Sequence, residues 1–499
     1  MEALQIHGAS CMTATVEMII GEEKVQARSG ATFDVINPAT EQVQATAPEA
    51  DQADVDRAVD QARKAFDEGP WPKMTPGERG RLLYRYTELI ERENDALGRL
   101  DTEDMGKPIT HSTQHDAPAA ADFIRFCAGL CDKLRGSQIP YGASKHIYLL
   151  REPVGVVAGI LPWNFPLVMA AQKVGPALAC GNVIILKPAE QSPRSAVLLG
   201  ELALEAGIPP GVVNVVTGQG ATGAVLVSHP KVDKISFTGS TEVGRSIMHA
   251  AAEQIRKVTL ELGGKTANIV CADADVDAAL AATAFTCSYN SGQICTTGSR
   301  LVIHRKLHDG FLDELTSRLG KLKVGDPLES DTKLGPLVSR EQHEKVRGYV
   351  EVGSRQYTPI VCGNGASAQD RGYYVDPTIF DHVDPDAQIA QEEIFGPVLS
   401  VIDFDDEREA IEIANRTSYG LAAALWTNDL SQAHRMAAAI DSSFVWINCT
   451  NFWGPSIPYE GHRQSGVGVD MGVELYESYT KIKNVIIDLD NTPNPWATS

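Results

Sequence analysis

The sequence predicts an α/β fold with a doubly wound parallel sheet and a second α/β domain, and three observations support this class. From Val154 onward, short apolar runs recur at intervals that leave room for a helix between successive runs. A second alternation of the same kind extends from about Asn268 to Ile447. Parallel sheets are built from such alternating strands and helices. The chain of 499 residues is also long enough for two or three domains.

Two helices are predicted after an extended N-terminal segment. Apolar residues at helical spacing predict the first of them over Asp51 to Phe66. The sequence Thr75-Pro76-Gly77-Glu78 has the pattern of a capping box with proline at the first helical position. We therefore expect the second helix to begin there.

The first sheet is predicted from five apolar runs, with a helix over Ser192 to Ala206 among them. The five runs are Val154–Ile160, Val183–Leu186, Val212–Val216, Lys234–Phe237 and Val258–Leu262. At the far end of the chain, Ile482 to Leu489 is predicted to form a strand that is followed by a polar tail. A terminal strand has to pair with another, and a strand of a second subunit is one candidate.

Charge and composition exclude several classes of protein. The chain has 65 acidic and 44 basic side chains, and a net charge of −21 repels nucleic acids and anionic membranes. The most apolar segment, Val154 to Ala171, is interrupted by two prolines and an asparagine, so it cannot span a bilayer. The nine cysteines are scattered, and Cys127 and Cys131 lack the second pair that a structural zinc site needs. We expect a cytoplasmic protein with reduced thiols and no bound metal.

Candidate nucleotide-binding motifs fall at the predicted carboxyl ends of strands, where doubly wound sheets bind nucleotides. A G-x-G-x-x-G over Gly218 to Gly223 is either a phosphate-binding turn or a plain strand-to-helix turn. In Phe237-Thr238-Gly239-Ser240 a strand ends and a helix begins, and its amides either face a pyrophosphate or are merely capped. Lys187 and Glu190 either hold ribose hydroxyls or pair with each other.

Three residues have the chemistry of a catalytic site. Cys295 lies in a glycine-containing loop in which a thiolate can be exposed and stabilised, although most lone cysteines are inert core thiols. Glu261 ends an apolar strand and is either a general base or a salt-bridge partner. The residues alone slightly favour the salt bridge. Asn164 lies between two prolines and two aromatic residues and is either a fixed hydrogen-bond donor or a turn asparagine bonded to its own backbone.

Seven motifs occur in an order and at a spacing that resemble the aldehyde dehydrogenase superfamily, over nearly the whole chain. They are Pro162-Trp163-Asn164, the Lys187 segment, Phe237-Thr238-Gly239-Ser240, Glu261-Leu262-Gly263-Gly264-Lys265, Gly292-Gln293-x-Cys295, Glu392-Glu393-Ile394-Phe395-Gly396-Pro397 and Asn415-x-Thr417-x-Tyr419-Gly420-Leu421. The resemblance implies an NAD-binding domain over 1–130 and 151–262 and a catalytic domain over 263–477. It also implies a small β oligomerisation element over 131–150 and 478–499, and a homodimer or homotetramer.

The resemblance implies a mechanism and a cofactor. The Cys295 thiolate attacks the aldehyde carbon, and the Asn164 amide and the Cys295 backbone N–H hold the oxyanion. Hydride passes to NAD, and Glu261 activates water to release the acid from a thioester. A carboxylate at Glu190 repels a 2′-phosphate, so NAD is expected over NADP. The implied cofactor positions are Pro162, Trp163, Lys187, Glu190, Gly220, Phe237, Gly239, Ser240, Val243, Leu262, Gly263, Glu393 and Phe395.

The segment Pro458-Tyr459-Glu460-Gly461-His462-Arg463-Gln464-Ser465-Gly466 departs from the family pattern, Pro-Phe-Gly-Gly-x-Lys-x-Ser-Gly. Phe165, Gln172, Trp453 and Tyr459 fall at positions that would line the substrate tunnel, or serve as ordinary core residues. An aromatic-walled, somewhat polar tunnel predicts a medium-chain or aromatic aldehyde as the substrate.

Three alternatives to this function stay open. A CoA-acylating aldehyde dehydrogenase would pass the acyl group to CoA, but such enzymes usually lack the glutamate found at Glu261. A non-catalytic NAD-binding protein with the same fold would not need Cys295, Glu261 and Asn164 together. An esterase would use the same cysteine without NAD.

Overall fold

The first large sheet has eight strands, and its five central strands are parallel. The computed structural model describes residues 14–490 and residue 496, so the start of the 1–130 range and most of the predicted polar tail lie outside the described residues. The central strands are the five predicted ones, shifted by at most two residues at either end. In sheet order the strands are Gly466–Val467, Lys257–Glu261, Lys234–Thr238, Val156–Ile160, Val183–Lys187, Val213–Val215, Met18–Ile20 and Glu23–Val25.

The second large sheet has seven strands, six of them parallel. Its order is Pro359–Val361, Thr378–Phe380, Val398–Phe404, Arg300–His304, Ala267–Val270, Ala422–Trp426 and Phe444–Ile447. These strands and their helices occupy the region of the predicted second alternation. The α/β fold class with two open sheets is therefore confirmed.

A small antiparallel sheet contains the predicted terminal strand. Thr480–Asp488 pairs along its whole length with Lys145–Pro153 of the same chain, and Ser137–Ile139 flanks the latter. One edge of the terminal strand therefore has its partner within the chain, and its other edge is an outer edge of this sheet.

The helices cover both faces of the parallel strands, whose runs are apolar on both sides. Two begin as predicted: Asp51 caps Gln52–Asp67, and the Thr75–Glu78 capping box opens Pro76–Arg92. The helix predicted over Ser192 to Ala206 is Arg194–Glu205. The others of more than five residues are Asn94–Met105, Ala117–Leu130, Pro166–Ala179, Gly220–Ser228, Thr241–Ala252, Val276–Ser288, His308–Leu319, Arg340–Ser354, Glu407–Asn415 and Leu430–Ala439.

Shorter elements connect the two large sheets and their helices. A three-stranded sheet is formed by Ala14–Thr15, Gln42–Pro48 and Thr32–Asn37, and a two-stranded one by Tyr419–Gly420 and His462–Arg463. The short helical turns are Trp71–Lys73, Ile109–His111, Ser112–Asp116, Tyr289–Gly292, Gln388–Gln391 and Leu475–Tyr479. Within residues 14–490, none of the helices is long and apolar enough to cross a membrane. The eight cysteines in this range are all free, and only Cys449 is exposed.

Candidate active site

A continuous cleft runs along the carboxyl ends of the first sheet's strands to Cys295. It consists of an outer cavity of about 630 Å³ and an inner cavity of about 170 Å³. The two share lining residues, and every predicted cofactor position lines at least one of them. The shared residues are Pro162, Trp163, Thr238, Gly239 and Ser240.

The outer cavity has the features of a dinucleotide site. Ser240 caps the helix Thr241–Ala252 by accepting a hydrogen bond from the Val243 amide, so this helix start faces the cleft. A second helix, Gly220–Ser228, also begins at the cavity wall. Helix starts of this kind bind phosphates, and the cavity lies within the size range of cofactor sites. The residues present therefore fit a bound dinucleotide.

Lys187 and Glu190 form the ion pair that the sequence offered as one interpretation, and both lie at the cavity where ribose binding was the other. Their Nζ and Oε2 atoms lie 3.5 Å apart, and both residues line the outer cavity. Lys187 is buried, whereas the Glu190 side chain is 39% exposed. Burial lowers the pKa of the Lys187 ammonium, and Glu190 partly offsets that shift. A long, half-exposed ion pair of this kind can open toward ribose hydroxyls at little cost.

Cys295 is placed by a strained turn at the end of the helix Val276–Ser288. Asn290, Ser291 and Gly292 have consecutive positive φ values of 50°, 54° and 74°. A Cβ atom at Gly292 would lie 2.4 Å from the Gly396 carbonyl oxygen, so glycine is required there. Strain of this kind persists only where surrounding contacts enforce it, and it commonly marks functional sites.

Asn164 is fixed from both sides. Its Nδ2 donates to the Gln293 carbonyl at 3.1 Å, and the Asn290 amide donates to the Asn164 carbonyl at 3.0 Å. The side chain is buried, and it lines the inner cavity together with Cys295. The interpretation as a turn asparagine bonded to its own backbone is therefore wrong. One of the two Nδ2 hydrogens is used by Gln293, which leaves the other for a ligand.

The Cys295 thiol is not stabilised as a thiolate in the way its loop suggested. Burial, together with the carboxylates of Glu393 and Glu261, raises the pKa of Cys295 to about 11. The Tyr459 hydroxyl lies 3.3 Å from Sγ and lowers the pKa of the thiol. Tyr459 was expected to line the tunnel, and here it contacts the predicted nucleophile directly.

Glu261 ends the strand Lys257–Glu261 and is buried, and its two carboxylate oxygens have no hydrogen-bond partner. Burial raises the pKa of Glu261 well above its ordinary value, and the negative charge of Asp470 adds to the rise. The salt-bridge interpretation is therefore wrong. The nearby cation, Lys173, pairs instead with Asp470 at 3.0 Å.

The inner cavity has a carboxylate and two aromatic rings on its far wall. Glu393 accepts a hydrogen bond from the Gly264 amide at 3.0 Å, and a Cβ at Gly263 would lie 2.5 Å from its Oε2. Phe395 has a positive φ of 62°, and its ring meets that of Trp163 edge-on at 5.3 Å. These contacts narrow the cleft beside Cys295.

A third cavity of about 380 Å³ opens beside Ile294, the residue before Cys295, and six of its sixteen lining residues are aromatic. Of the four residues predicted to line the substrate tunnel, Phe165 and Trp453 line this cavity. Gln172, buried in the helix Pro166–Ala179, and Tyr459 do not. The aromatic lining residues are Phe123, Phe165, Phe285, Tyr289, Phe452 and Trp453. The Phe123 and Trp453 rings are nearly parallel, with centroids 5.8 Å apart.

Several lining residues escaped the sequence-based prediction because they come from a distant helix. His115 and Asp116 reach the third cavity from a π-helical turn, Ser112–Asp116, and such turns are frequent at functional sites. The carboxylate of Asp116 is paired with the buried Lys107 ammonium, which lies 3.6 Å above the Phe165 ring. No local sequence motif marks this turn. Phe452, in contrast, adjoins the predicted Trp453.

Comparison with known proteins agrees with this geometry. Residues 25–485 match the sequence profile of the aldehyde dehydrogenase family. A benzaldehyde dehydrogenase, mitochondrial, of Antirrhinum majus is 43% identical over 477 residues, which are 95% of this chain and 89% of that protein. The NAD+ complex of an aldehyde dehydrogenase from Bacillus cereus superposes with a TM-score of 0.93 at 43% identity, covering 95% of this chain and 97% of that one.

An indole-3-acetaldehyde dehydrogenase in complex with NAD+ superposes with a TM-score of 0.92 at 42% identity, covering 96% of this chain and 97% of that one. The profile match and the relatives extend over nearly the whole length of the described chain. On this evidence the chain belongs to the aldehyde dehydrogenase family.

Proposed function

We propose that this protein oxidises an aromatic aldehyde to its carboxylic acid with NAD, through a thioester on Cys295. The observation that carries the proposal is the position of Cys295. It lies at the inner end of a dinucleotide-sized cleft, beside Asn164, with an unpaired buried carboxylate at Glu261. A further cavity with aromatic walls approaches from the other side.

The first step is addition of the Cys295 thiolate to the aldehyde carbon. A carbon–sulfur bond forms, and the carbonyl π electrons move to the oxygen, which becomes an oxyanion. The free Nδ2 hydrogen of Asn164 and the Cys295 backbone N–H would donate to that oxygen, since both residues line the inner cavity. Because Asn290 and Gln293 hold Asn164 in place, no reorganisation is needed when the charge develops.

Oxidation and hydrolysis follow. When bound, NAD supplies the hydride acceptor that converts the adduct into a thioester. Glu261 then removes a proton from water, the hydroxide oxygen bonds to the thioester carbon, and the carbon–sulfur bond breaks to release the acid and the thiolate. A buried carboxylate with a raised pKa is suited to this work, because it holds a proton more strongly than a solvated one.

The choice of NAD over NADP rests on Glu190. Its carboxylate lines the outer cavity, and Lys187 neutralises it only weakly at 3.5 Å. A 2′-phosphate placed near this carboxylate would meet a like charge. The relatives whose structures are NAD+ complexes are consistent with this choice.

The aromatic substrate class is supported by the third cavity. Parallel rings such as those of Phe123 and Trp453 offer π faces to a flat group, and six aromatic side chains surround the space. Two relatives are named for benzaldehyde and indole-3-acetaldehyde, which both carry aromatic rings. These observations favour aromatic aldehydes over the medium-chain aldehydes that the sequence also allows.

The decisive experiment is NADH formation, followed by absorbance, with aromatic and aliphatic aldehydes and without CoA. We expect the highest kcat/KM for aromatic aldehydes and no turnover by Cys295→Ala. Trp453→Leu should raise KM for an aromatic aldehyde more than for acetaldehyde. An absolute requirement for CoA would instead identify an acylating enzyme, and NAD binding without any turnover would identify a binding protein. Ester cleavage without any aldehyde oxidation would identify an esterase.

A further inference from the structure

The hydroxyl of Tyr459 has no role in the mechanism proposed above, although it contacts Cys295 directly. It lies 3.3 Å from Cys295 Sγ. The family pattern has phenylalanine at this position. The aromatic ring therefore agrees with the pattern, and the hydroxyl is what distinguishes this chain. Phe444 packs against the ring with centroids 5.0 Å apart, which holds the hydroxyl toward the sulfur.

The surroundings of Cys295 leave few other sources of stabilisation for a thiolate. The charged groups that act on it are the carboxylates of Glu393 and Glu261, and both oppose a second negative charge. The groups that favour the thiolate are the Tyr459 hydroxyl and the Thr296 backbone, and of these only Tyr459 offers a side-chain donor. A thiolate has to form before the aldehyde can be attacked.

We propose that Tyr459 is a catalytic residue whose hydroxyl donates a hydrogen bond to Cys295 Sγ and stabilises the attacking thiolate. The role rests on the proposed function, in which Cys295 is the nucleophile. When the sulfur bonds to the aldehyde carbon, its negative charge moves to the oxygen and the hydrogen bond weakens. The hydroxyl therefore sets how much thiolate is present before substrate arrives.

The test is the pH dependence of alkylation of Cys295 by iodoacetamide, in full-length protein without NAD or aldehyde. Cys449→Ser serves as the background because Cys449 is exposed, and mass spectrometry identifies the labelled peptide. Tyr459→Phe should move the midpoint of the profile upward by about one to two pH units, as loss of a hydrogen bond to a charged group predicts. Tyr374→Phe, which removes a buried hydroxyl bonded to the Gly325 carbonyl, should leave the midpoint unchanged.

An unchanged midpoint in Tyr459→Phe, with a folded protein by circular dichroism, would overturn the proposal and leave Tyr459 as a wall residue. The measurement needs no aldehyde, so it separates this proposal from the proposed function. A shifted midpoint in a protein that oxidises no aldehyde would support the hydrogen bond and refute the activity.

A second, independent observation concerns a cluster on the second sheet, where the sequence predicted no metal. His308, Asp381 and His382 have donor atoms that all lie within 4.8 Å of one another. They meet at the carboxyl ends of the strands Arg300–His304 and Thr378–Phe380. Cys295 precedes the opposite end of Arg300–His304, so this cluster is separate from the active site by roughly the length of that strand, about 15 Å.

The donor atoms lie close enough together to surround one ion. His308 Nε2 lies 2.8 Å from Asp381 Oδ1 and 3.5 Å from Asp403 Oδ1, and His382 Nε2 lies 3.6 Å from Asp381 Oδ2. Ligands about 2.0–2.1 Å from zinc lie about 3.4 Å from each other in a tetrahedral site. The two longer separations are near that value, whereas the 2.8 Å pair is a hydrogen bond that would have to lengthen when an ion binds.

Two further observations point to a ligand at this cluster. The Asp403 side chain is 9% exposed, and its Oδ1 is buried without a hydrogen-bond partner. Asp309 Oδ1 lies 2.8 Å from the other ring nitrogen of His308, as an outer carboxylate does at a metal-bound histidine. His382 has a positive φ of 48°, a strained conformation that commonly marks functional residues.

We infer that His308, Asp381, His382 and Asp403 form a binding site for a divalent transition metal of the zinc type. Two imidazoles and two carboxylates are a donor set that zinc accepts. The His382 ring stacks on that of His308 with centroids 4.6 Å apart. His382 Nδ1 lies 2.8 Å from Asp403 Oδ2, so a metal ion would take the place of this hydrogen bond.

The test is titration of the EDTA-dialysed full-length protein with Co²⁺ and then Zn²⁺, in a Cys295→Ala, Cys449→Ser background that removes competing thiols. We expect one equivalent of Co²⁺ to give the visible absorption of a tetrahedral complex, and Zn²⁺ to displace it and raise the Tm. His382→Ala and Asp403→Asn should abolish both effects. His434→Ala, a change at an exposed histidine on another helix, should not. Equal binding in all of these variants, or no binding, would show an ion-pair network without a metal.

Discussion

At the scale of single residues, the main feature of the candidate active site is a buried carboxyl group, Glu261, that has no hydrogen-bond partner. Glu261 has no hydrogen bond to either carboxylate oxygen, and the one cation near it pairs elsewhere. A group left in this way keeps a raised pKa, which a general base needs. Burying an unpaired carboxyl group lowers stability, so a carboxylate with a purely structural role would be paired. The unpaired state of Glu261 therefore supports its proposed role as a general base.

Glu261→Gln should slow steady-state turnover by about 10²–10⁴-fold while a burst of NADH persists, because the thioester still forms but is not hydrolysed. Stopped-flow absorbance measures the burst and the turnover that follows it. Loss of the burst together with turnover, as expected for Cys295→Ala, would contradict this role.

The raised pKa of Glu261 also predicts a pH dependence. The base works only when deprotonated, so the rate of thioester hydrolysis in the wild-type protein should rise as the pH passes upward through the pKa of Glu261. Stopped-flow absorbance at a series of pH values measures this effect.

Glu190→Gln should raise kcat/KM with NADP relative to NAD by roughly tenfold or more, because the substitution removes a like charge from the path of the 2′-phosphate. Steady-state kinetics with both cofactors measures the ratio. Glu205→Gln is the matched control, since Glu205 is exposed and pairs with Arg92 away from the cleft. Comparable efficiency of the wild-type protein with NADP and NAD would contradict the assignment.

At the scale of elements, the turn before Cys295 has a strained backbone. Three consecutive residues with positive φ follow the helix Val276–Ser288, and the loop continues into Cys295. The hydrogen bonds of Asn290, Gln293 and Asn164 enforce this path. Cys295, the proposed nucleophile, is thus positioned by the backbone of its own segment and by the side chain of Asn164 from another segment.

Gly292→Ala should lower stability by about 1–3 kcal/mol and reduce kcat, because alanine is strained at φ 74° and its Cβ would meet the Gly396 carbonyl. Thermal unfolding and NADH formation measure the two losses. Gly348→Ala provides the control, because Gly348 lies within the helix Arg340–Ser354 and an added Cβ there meets nothing within 4 Å. It should be neutral or slightly stabilising. Equal behaviour of the two variants would refute the strain argument.

At the scale of the whole molecule, the small antiparallel sheet exposes several large apolar side chains to solvent. Ile482, Ile486 and Ile487 on its terminal strand are each more than 40% exposed. Exposed apolar patches of this kind mark interaction sites. The homodimer or homotetramer implied by the family resemblance remains a prediction, as does the cytoplasmic location, and this sheet is where we expect subunits to meet.

Ile486→Lys should shift the protein toward a smaller oligomer, because a charged side chain on the apolar strand costs free energy in a buried interface. Light scattering after size-exclusion chromatography measures the mass. Leu430→Lys changes an exposed leucine on a helix of the second sheet and should leave the mass unchanged. A wild-type monomer, or the same mass in both variants, would contradict the expectation.

Features of the fold that depend on local patterns could be predicted from the sequence alone. The five parallel strands, the caps at Asp51 and Thr75, and the strand-to-helix junction at Ser240 all appear where they were predicted. Apolar runs and capping residues act over a few neighbours along the chain, so their consequences can be inferred without the fold. The motif order identified the family for the same reason.

Which distant groups meet could be learned only from the folded chain. It showed that Lys173 pairs with Asp470 rather than Glu261, and that the Tyr459 hydroxyl touches Cys295. It also closed the terminal strand onto its own chain. A pKa depends on burial and on charges from distant segments, and a strand's partner depends on the path of the whole chain. Neither quantity is a local property, so no pattern of neighbouring residues contains it.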